Sequence, residues 1–388
     1  MKDEEKKSAE ATPDSPVDAG ASSEASPRET AKGSARAGKP AFSPRRLLAP
    51  LIPIYKAALS LRELRLVSGM EPVRWLRWPV ISIGNLSTGG AGKTPFTIAL
   101  AKELASHGLP VDVLSRGYGR QSVAVARVDP NGTAEEYGDE PLLIARETGL
   151  PVYVAAERYD AGILAEREAD AAQVELAAAA GTEYQEVPAP EDDPPPLRIH
   201  LLDDGFQHRQ LARTVDILLL NREDWEDRLL PAGNLREPLD ALFRANAIAI
   251  PADEPELAKA LLDWGWEGPI WRLRRLMDVK RIAGPVAAFC GIARPEQFFE
   301  GLEAAGLDVV AQFSFPDHYD YTESIVRELI TDAGAKRAKA IVTTGKDLVR
   351  LGKLAELFPE RLPLETAGLR IEVADRAAML SWLAGRLL

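Results

Sequence analysis

From residue 79 onward, short apolar runs alternate with longer segments whose apolar positions recur every three or four residues. The runs are rich in β-branched residues and end in glycine, proline or polar turns, as buried strands do. The longer segments have the period of amphipathic helices. Strands are predicted at 80–83, 111–114, 123–128, 152–156, 198–202 and 216–220, with helices at 95–107, 141–147 and 159–180. This order implies an α/β fold with a P-loop-type, mostly parallel sheet flanked by helices.

The alternation of strands and helices starts again near residue 275. Further strands are predicted at 286–290, 309–315, 340–343 and 369–373, with helices at 295–305, 322–333 and 376–387. We therefore predict a kinase-like first domain over 79–274, with an Ala/Pro-rich insert at about 170–196, and a second, smaller α/β domain over 275–388.

Two different segments precede the first strand. Residues 1–40 contain no aromatic and almost no large aliphatic side chain, so they are predicted to form a disordered tail. Residues 41–78 contain an apolar face, seven basic but only two acidic side chains, and the tryptophans Trp75 and Trp78. Such a segment suits a helix that lies in a membrane interface, and it suits equally a helix packed on the protein's own core. Pro50 and Pro53 would break its first turns.

Composition narrows the classes of function. The chain has 388 residues and a net charge of −12, which argues against general nucleic-acid binding. Its one cysteine, Cys290, excludes an intrachain disulfide framework and a cysteine-cluster metal site. No apolar run reaches the roughly 20 residues needed to span a bilayer, and the N-terminus lacks the apolar segment of a secretory signal.

The first predicted strand leads into a glycine-rich turn that ends in Gly92-Lys93-Thr94, and a helix follows. This is the arrangement of a phosphate-binding loop, in which the lysine contacts the β- and γ-phosphates and the threonine hydroxyl binds Mg²⁺. The strict pattern requires glycine at position 87, where this chain has serine. The loop residues predicted to hold the nucleotide are Ser87, Thr88, Gly89, Gly90, Ala91, Gly92, Lys93 and Thr94.

Acidic side chains follow at two places. The strand 198–202 leads into Asp203 and Asp204, where P-loop proteins hold Mg²⁺. Adjacent side chains on a strand point to opposite faces, so both acids can face one metal only if the chain turns, which Gly205 permits. The pair can also belong to a solvated Asp-Asp-Gly turn. Asp139 precedes a helix and would serve either as its N-cap or as a general base.

Imidazole and basic side chains complete the set of candidates. Of the four histidines, His107 and His200 are interpreted as structural, whereas His208 and His318 lie in polar turns beside the motifs and are candidate site residues. Lys346 follows a strand of the second domain and would either meet a substrate phosphate or pair with its neighbour. Arginines at strand ends or in loops beside the motifs suit a multiply anionic substrate, although each of them alone fits better with an ordinary surface arginine. They are Arg116, Arg120, Arg158 and Arg236, and Gln207 beside the paired acids is a further predicted substrate-binding residue.

Taken in order, these motifs resemble those of the tetraacyldisaccharide 4'-kinase family, the lipid A 4'-kinases of Gram-negative bacteria. The resemblance runs from about Leu47 to the C-terminus. The family's loop also lacks the glycine at position 87, whereas Asn234 departs from the family, many of whose members have proline there. The matching segments are 82–86, 89–95, 114–119, 138–141, 203–208, 230–238, 315–319 and 343–347.

The resemblance implies a reaction and roles for the residues. The γ-phosphoryl group of ATP would pass to the 4'-hydroxyl of tetraacyldisaccharide 1-phosphate, forming lipid IVA in lipid A biosynthesis. Asp139 and His318 would be the acid/base pair, and Asp203 and Asp204 would support Mg²⁺ together with Thr94. Since this lipid A precursor carries four acyl chains, the resemblance favours a membrane-interface helix. The enzyme is then expected to act as a monomer bound peripherally to the cytoplasmic face of the inner membrane.

Two other functions fit part of the sequence. A P-loop GTPase or ATPase of the metallocentre-maturation type would need a base-reading Lys-x-Asp motif or Cys/His metal ligands, but Lys346 is followed directly by Asp347. A non-catalytic membrane-peripheral binding protein would not need paired acids after a strand. The sequence therefore favours the kinase.

Overall fold

The computed structural model of the protein describes residues 28–29, 44–89, 92–179 and 197–387. The strands form one mixed, mostly parallel sheet with helices on both faces, so the predicted fold class is confirmed. Most of the predicted tail and residues 180–196 of the predicted insert lie outside the described residues, while residues 170–179 continue a helix.

The described residues form thirteen strands, which are β1 (Arg28–Glu29), β2 (Val80–Asn85), β3 (Val111–Ser115), β4 (Ala126–Arg127), β5 (Val152–Val154), β6 (Ile199–Asp203), β7 (Val215–Leu219), β8 (Ala247–Pro251), β9 (Ile270–Val279), β10 (Pro285–Cys290), β11 (Asp308–Ser314), β12 (Ala340–Thr344) and β13 (Leu364–Val373). The α-helices are α1 (Ile52–Val67), α2 (Lys93–Ser106), α3 (Ala134–Tyr137), α4 (Asp139–Thr148), α5 (Arg158–Ala179), α6 (Arg222–Glu226), α7 (Pro255–Asp263), α8 (Pro295–Ala304), α9 (Glu323–Ala335), α10 (Gly345–Leu351) and α11 (Arg376–Leu387). In the part of the chain that the structure describes, 3-10 helices occur at Pro44–Leu51, Leu239–Arg244 and Gly352–Leu357.

The strand β2, which leads into the glycine-rich turn, lies inside the first half of the sheet. It pairs in parallel with β6 on one side and β7 on the other, and all six of its residues are buried. A strand covered on both faces has no solvent side, which explains why Val80, Ile81 and Ile83 do not alternate with exposed polar residues. The helix α2 packs over this strand through Phe96, Leu100 and Leu104. The turn after β2 is therefore held at the carboxyl edge of a rigid sheet.

The two halves of the sheet meet at a reversal of strand direction. β9, the last strand of the first half, runs parallel to β8. β13, the first strand of the second half in the order of the sheet, runs antiparallel to β9 and parallel to β12. In a flat sheet the carboxyl ends of the two halves would lie on opposite edges. Side chains from both sets of ends are nevertheless within hydrogen-bond distance, so the sheet cannot be flat. The predicted boundary at residue 275 falls inside β9, and the division into two domains stays a prediction.

Some predicted elements differ in length or were not predicted. The expected strand at 123–128 is reduced to the two residues of β4, and the segment 221–275, where no element was predicted, contains α6, β8, α7 and the start of β9. Pro53 stands in the first turn of α1, where its missing N–H is tolerated, and Pro50 lies in the preceding 3-10 helix. The helix break expected at Pro50 and Pro53 therefore falls where the 3-10 helix ends and α1 begins.

The helix α1 is apolar on two sides. Its half-buried positions 52, 55, 59, 62 and 66 recur every three or four residues, and Ile52, Tyr55 and Leu59 pack on the core beneath. The opposite side exposes Ile54, Leu61, Leu64 and Val67 to solvent. Among the described residues, no helix combines the length and the apolarity needed to cross a bilayer.

His200 has a structural role, as its place in an apolar strand predicted. Its Nδ1 lies 2.6 Å from Oδ1 of Asp112 on β3, and its Nε2 lies 3.6 Å from Oε1 of Glu166 on α5. Burial alone lowers the pKa of His200, but the two carboxylates outweigh burial and raise it to about 9. The imidazolium therefore ties two strands and a helix together behind the site.

This contact predicts a loss of stability in alkali. A histidine whose pKa is raised by folding stabilises the folded chain fully below its ordinary pKa, and the stabilisation is lost as pH rises through the folded value. Between about pH 6.5 and pH 9.5, we expect the wild-type chain to lose about 3 kcal/mol relative to His200→Gln, which has no titrating group here. Urea unfolding across this range measures the difference, and a constant difference would contradict the assignment.

Candidate active site

The glycine-rich turn is closed by the start of α2. Gly92 has a φ of +85°, a left-handed conformation that glycine adopts without strain, and α2 begins at Lys93. Glycine provides no side-chain cap, so the first N–H groups of the helix are available to an anion, which the helix dipole also attracts. The buried hydroxyl of Thr94 lies in the same turn. Gly90 and Ala91 lie outside the described residues.

The buried amide of Asn85 organises the turn. Its Nδ2 donates to Oγ of Ser87 at 2.9 Å and to the carbonyl of Gly89 at 3.2 Å, and its Oδ1 accepts from Nζ of Lys93 at 2.8 Å. The Ser87 hydroxyl thus helps Asn85 to hold the loop, and the N–H of Thr88 donates to the carbonyl of Asn234. A role for Asn85 was not predicted from the sequence. A polar residue at the end of an apolar strand was the available signal.

The paired acids stand beside this lysine. Asp203 ends β6 and accepts from Oγ1 of Thr97 at 2.9 Å. Asp204 has a φ of +49°, so the turn predicted at Gly205 begins one residue earlier. Its carboxylate lies 3.4 Å from Nζ of Lys93 and 2.9 Å from Nη2 of Arg236, which also donates to the Asn85 amide. The pair is therefore part of a charged cluster, not a solvated turn.

The pKa values of the two acids are shifted in opposite directions. Burial, followed by the charges of Glu140 and Asp204, raises the pKa of Asp203 to about 7. For Asp204 the burial cost is outweighed by Lys93 and Arg236, which hold its pKa well below its usual range. Buried carboxylates that repel one another need a nearby cation if they are to stay ionised together.

The two acids fit a magnesium ion. No group of three His, Cys, Asp or Glu side chains among the described residues is arranged to hold a metal. Mg²⁺ does not require such a cage, because it usually takes one or two carboxylates together with substrate phosphates and waters. Asp203 and Asp204 contact Thr97 and Lys93 of α2, the helix that also carries Thr94, and these residues provide that kind of donor set.

The predicted acid/base pair is in contact across the two halves of the sheet. Asp139 begins α4 in the first half, and its Oδ2 lies 2.9 Å from Nδ1 of His318, which follows β11 in the second half. Arg350 on α10 joins them, with Nε 2.7 Å and Nη2 2.5 Å from the same oxygen. His318 has a left-handed φ of +61°, a strain typical of functional sites.

Two of these residues were missed or interpreted differently from sequence. Lys346 pairs with Oε1 of Glu140 at 2.5 Å, not with its neighbour Asp347. Arg350 was not predicted at all. Because it lies four residues after Lys346 on a helix, both can face the same direction, and that spacing was the only signal in the sequence.

Several of the predicted substrate-binding residues lie close to one another, whereas Arg120 is engaged with its own loop. Arg158 is buried near the exposed Arg116, and burial together with that charge lowers the pKa of Arg158 to about 10. Burial, then Arg158 and other arginines, lowers the pKa of His208 to about 3, so its ring is neutral, and its buried Nε2 has no hydrogen-bond partner among the described residues. Gln207 donates to the Asn85 carbonyl. Arg120 instead donates to carbonyls of its own loop.

Two arginines that were not predicted lie near the glycine-rich turn. A Cβ built on Gly92 would lie 3.5 Å from Nη2 of Arg275 on β9. Arg294 pairs with Glu223 of α6 at 2.8 Å. Burial and the neighbouring Arg294 lower the pKa of Arg275, as expected for two cations held close together. A cavity of about 390 Å³ beside the turn is lined by Ser87, Thr88, Gly89, Asp224 and Arg294, among others.

Comparison with known proteins identifies a family. A model described as tetraacyldisaccharide-1-P 4'-kinase matches residues 44–388. A tetraacyldisaccharide 4'-kinase of Koribacter versatilis is 37% identical over 341 residues, covering 85% of this chain and 96% of the relative. One of Geobacter sulfurreducens is 36% identical over 349 residues, covering 81% and 89%.

A solved structure agrees with these sequence matches. The crystal structure of LpxK from Aquifex aeolicus, in complex with ATP, matches this fold with a TM-score of 0.66 and 31% sequence identity. The match covers 89% of this chain and 99% of the Aquifex chain. The similarity therefore includes both halves of the sheet.

The ion pair between the two halves predicts a measurable coupling. Lys346→Met leaves the carboxylate of Glu140 partly buried without its cation, so we expect it to destabilise the chain by about 1–3 kcal/mol. Adding Glu140→Gln should recover part of the loss, because the uncompensated charge is then removed. Arg327→Met, which breaks an exposed pair on α9, is the matched control and should change stability by about 0.5 kcal/mol or less. Additive effects in the double variant would contradict the coupling.

Proposed function

The chain belongs to the tetraacyldisaccharide 4'-kinase family, and on this premise we propose how its residues carry out that reaction. It is a lipid A biosynthesis kinase that uses ATP to phosphorylate the 4'-hydroxyl of tetraacyldisaccharide 1-phosphate. The observation that carries the proposal is the contact of Asp139 with His318 beside the charged cluster of the phosphate-binding turn. The metallocentre-maturation alternative is not favoured.

The turn and its neighbours bind the phosphates. The N–H groups at the start of α2 and Nζ of Lys93 attract the β- and γ-phosphates, and Arg236 adds a second cation. Thr94, Asp203 and Asp204 would hold Mg²⁺. When bound, this ion would neutralise charge that develops on the transferred phosphoryl group. The residues of the chain supply position and charge, which are the main demands of phosphoryl transfer.

Asp139 and His318 act as the acid/base pair for the acceptor hydroxyl. A sugar hydroxyl is a weak nucleophile, and a well-placed base accelerates its reaction by roughly 10²–10⁴. Arg116, Arg158 and His208 lie near the paired acids and suit the anionic and hydroxyl groups of the disaccharide. Arg120 donates to carbonyls of its own loop, so among the predicted substrate contacts it has the least support.

The exposed side of α1 would meet the membrane. The preceding 3-10 helix and the segment after α1 add Leu47, Val73 and Trp75 to this apolar surface. Several basic side chains of the segment are engaged with the protein itself, since Arg62 donates to the Gln207 carbonyl and Arg77 pairs with Asp170. Trp78 is buried between arginines and does not contribute. We therefore attribute peripheral binding, as a monomer at the cytoplasmic face of the inner membrane, mainly to apolar contact.

Kinase activity predicts that ATP consumption depends on the acceptor. In detergent with MgATP, we expect ADP release only when tetraacyldisaccharide 1-phosphate is added, with a 4'-phosphate monoester as the product. Lys93→Met should reduce turnover at least about 100-fold, since a charge-assisted contact to the phosphates is lost. Lys102→Met on the exposed side of α2 is the control and should retain full activity. Acceptor-independent ADP release would favour an ATPase.

Membrane binding by α1 predicts a specific pair of effects. The triple change Ile54→Ser, Leu61→Ser and Leu64→Ser should reduce cosedimentation with phospholipid vesicles at least about tenfold, because three exposed apolar side chains are lost. Turnover of acceptor presented in excess detergent should change little. The control is Leu262→Ser, which alters an exposed apolar residue on α7. Equal vesicle binding by the triple variant and the wild type would refute this role of α1.

A further inference from the structure

The loop that follows the paired acids, residues 205–210, lies against the inner side of α1. Arg62 of α1 donates from Nη2 to the carbonyl of Gln207 at 2.7 Å. The next residue of the helix, Glu63, forms an ion pair with Arg209. The helix therefore contacts the 205–210 loop at two consecutive positions, and both contacts use charged side chains.

Three successive carbonyls of the 205–210 loop accept hydrogen bonds from guanidinium groups. Those of Phe206 and His208 accept from Nη2 and Nη1 of Arg213, each at 2.9 Å, and the carbonyl between them accepts from Arg62. The Nε of Arg213 pairs with Asp216 of β7 at 2.7 Å, so this arginine is fixed on the sheet. Carbonyls in a turn have no strand partner, and charged donors bind them more strongly than neutral donors do. The loop is thus held from the sheet by one arginine and from α1 by the other.

The side chains of the same loop carry polar atoms that suit a ligand. Oε1 of Gln207 and Nε2 of His208 are both buried, and neither has a hydrogen-bond partner among the described residues. The amide of Gln207 is oriented by its Nε2, which donates to the Asn85 carbonyl at 2.9 Å. The His208 ring is neutral, because burial and several arginines, Arg62 among them, lower its pKa to about 3. A buried polar atom without a partner costs free energy, which a sugar hydroxyl can recover because it both donates and accepts.

The opposite side of α1 is the one that exposes Ile54, Leu61 and Leu64. One helix therefore faces the proposed membrane surface with one side and the 205–210 loop with the other. An acceptor with four acyl chains keeps those chains in the bilayer, so its sugar reaches the site from that surface. A helix placed between the two fixes how far the loop stands from the membrane.

We propose that Arg62 is a positioning residue for the acceptor. It holds the 205–210 loop on α1, so that the helix that meets the membrane also determines where Gln207 and His208 bind the disaccharide. This inference rests on the proposed kinase function and on the proposed membrane contact of α1. Arg62 acts through the loop and has no contact of its own with the reacting groups.

Two variants of Arg62 test this role with the acceptor presented in excess detergent. Arg62→Gln should raise the KM for the acceptor about tenfold, because the loss of a charge-assisted hydrogen bond loosens the loop. The kcat should stay within about threefold and the KM for ATP within about twofold, because the amide of Asn85 still holds the phosphate-binding turn. Arg62→Lys keeps the charge and can donate one hydrogen bond, so it should raise the KM for the acceptor only about threefold.

Amide hydrogen exchange of the full chain without ligands measures the hold on the loop directly. In Arg62→Gln, the amides of the 205–210 loop should exchange about tenfold faster than in the wild type, while those of α1 keep their wild-type rates. Cosedimentation with vesicles of zwitterionic phospholipid should be unchanged, because the exposed apolar side chains of α1 are intact. The control is Arg65→Gln, at an exposed position of the same helix, which should alter none of these quantities.

An unchanged KM for the acceptor in Arg62→Gln, or a KM for ATP that rises as much, would overturn the proposal. Faster exchange throughout α1 would also overturn it, since Arg62 would then only attach the helix. If Arg62→Gln does not fold, Arg62→Lys decides: a raised KM for the acceptor at unchanged KM for ATP supports the proposal, and wild-type values of both overturn it. Failure of the kinase function itself would appear separately, as no acceptor-dependent ADP release by the wild-type chain, and the exchange rates would still report the hold on the loop.

Discussion

Two neighbouring acids at the start of α4 must be neutralised by cations from the other half of the molecule. Asp139 pairs with Arg350 and Glu140 with Lys346, and both cations lie on the short helix α10. A carboxylate that leaves water without a partner costs several kcal/mol, so separating the halves at this point would expose or strand four charges. These pairs determine how the second half is positioned against the first.

This constraint explains how the site can be assembled from distant ends of one sheet. The reversal between β9 and β13 would direct the carboxyl ends of the two halves away from each other. The cross-pairing of α4 with α10 holds the reversed half so that His318 stands beside Asp139. Neither half contains a complete set of the proposed catalytic groups. The contacts that hold the two halves together therefore also assemble the proposed site.

The acids of the site differ because their partners differ. Asp139 and Asp204 each face cations, which hold their pKa values low, whereas Asp203 faces mainly other acids and has a raised pKa. Groups whose pKa values are driven apart in this way can take separate tasks in one reaction. In the proposed mechanism, Asp139 belongs with His318 to the acid/base pair, while Asp203 and Asp204 would hold the metal.

The sequence by itself determined the local features. β-Branched runs and helical periods predicted most strands and helices, and glycine spacing followed by Lys93 predicted the phosphate-binding turn, because backbone freedom and side-chain type act over a few residues. Ordered motifs predicted the family. Only the tertiary structure decided which charges meet. Arg350, the partner of Lys346 and the burial of Trp78 depend on contacts between residues far apart in the chain, and no local pattern encodes such distances.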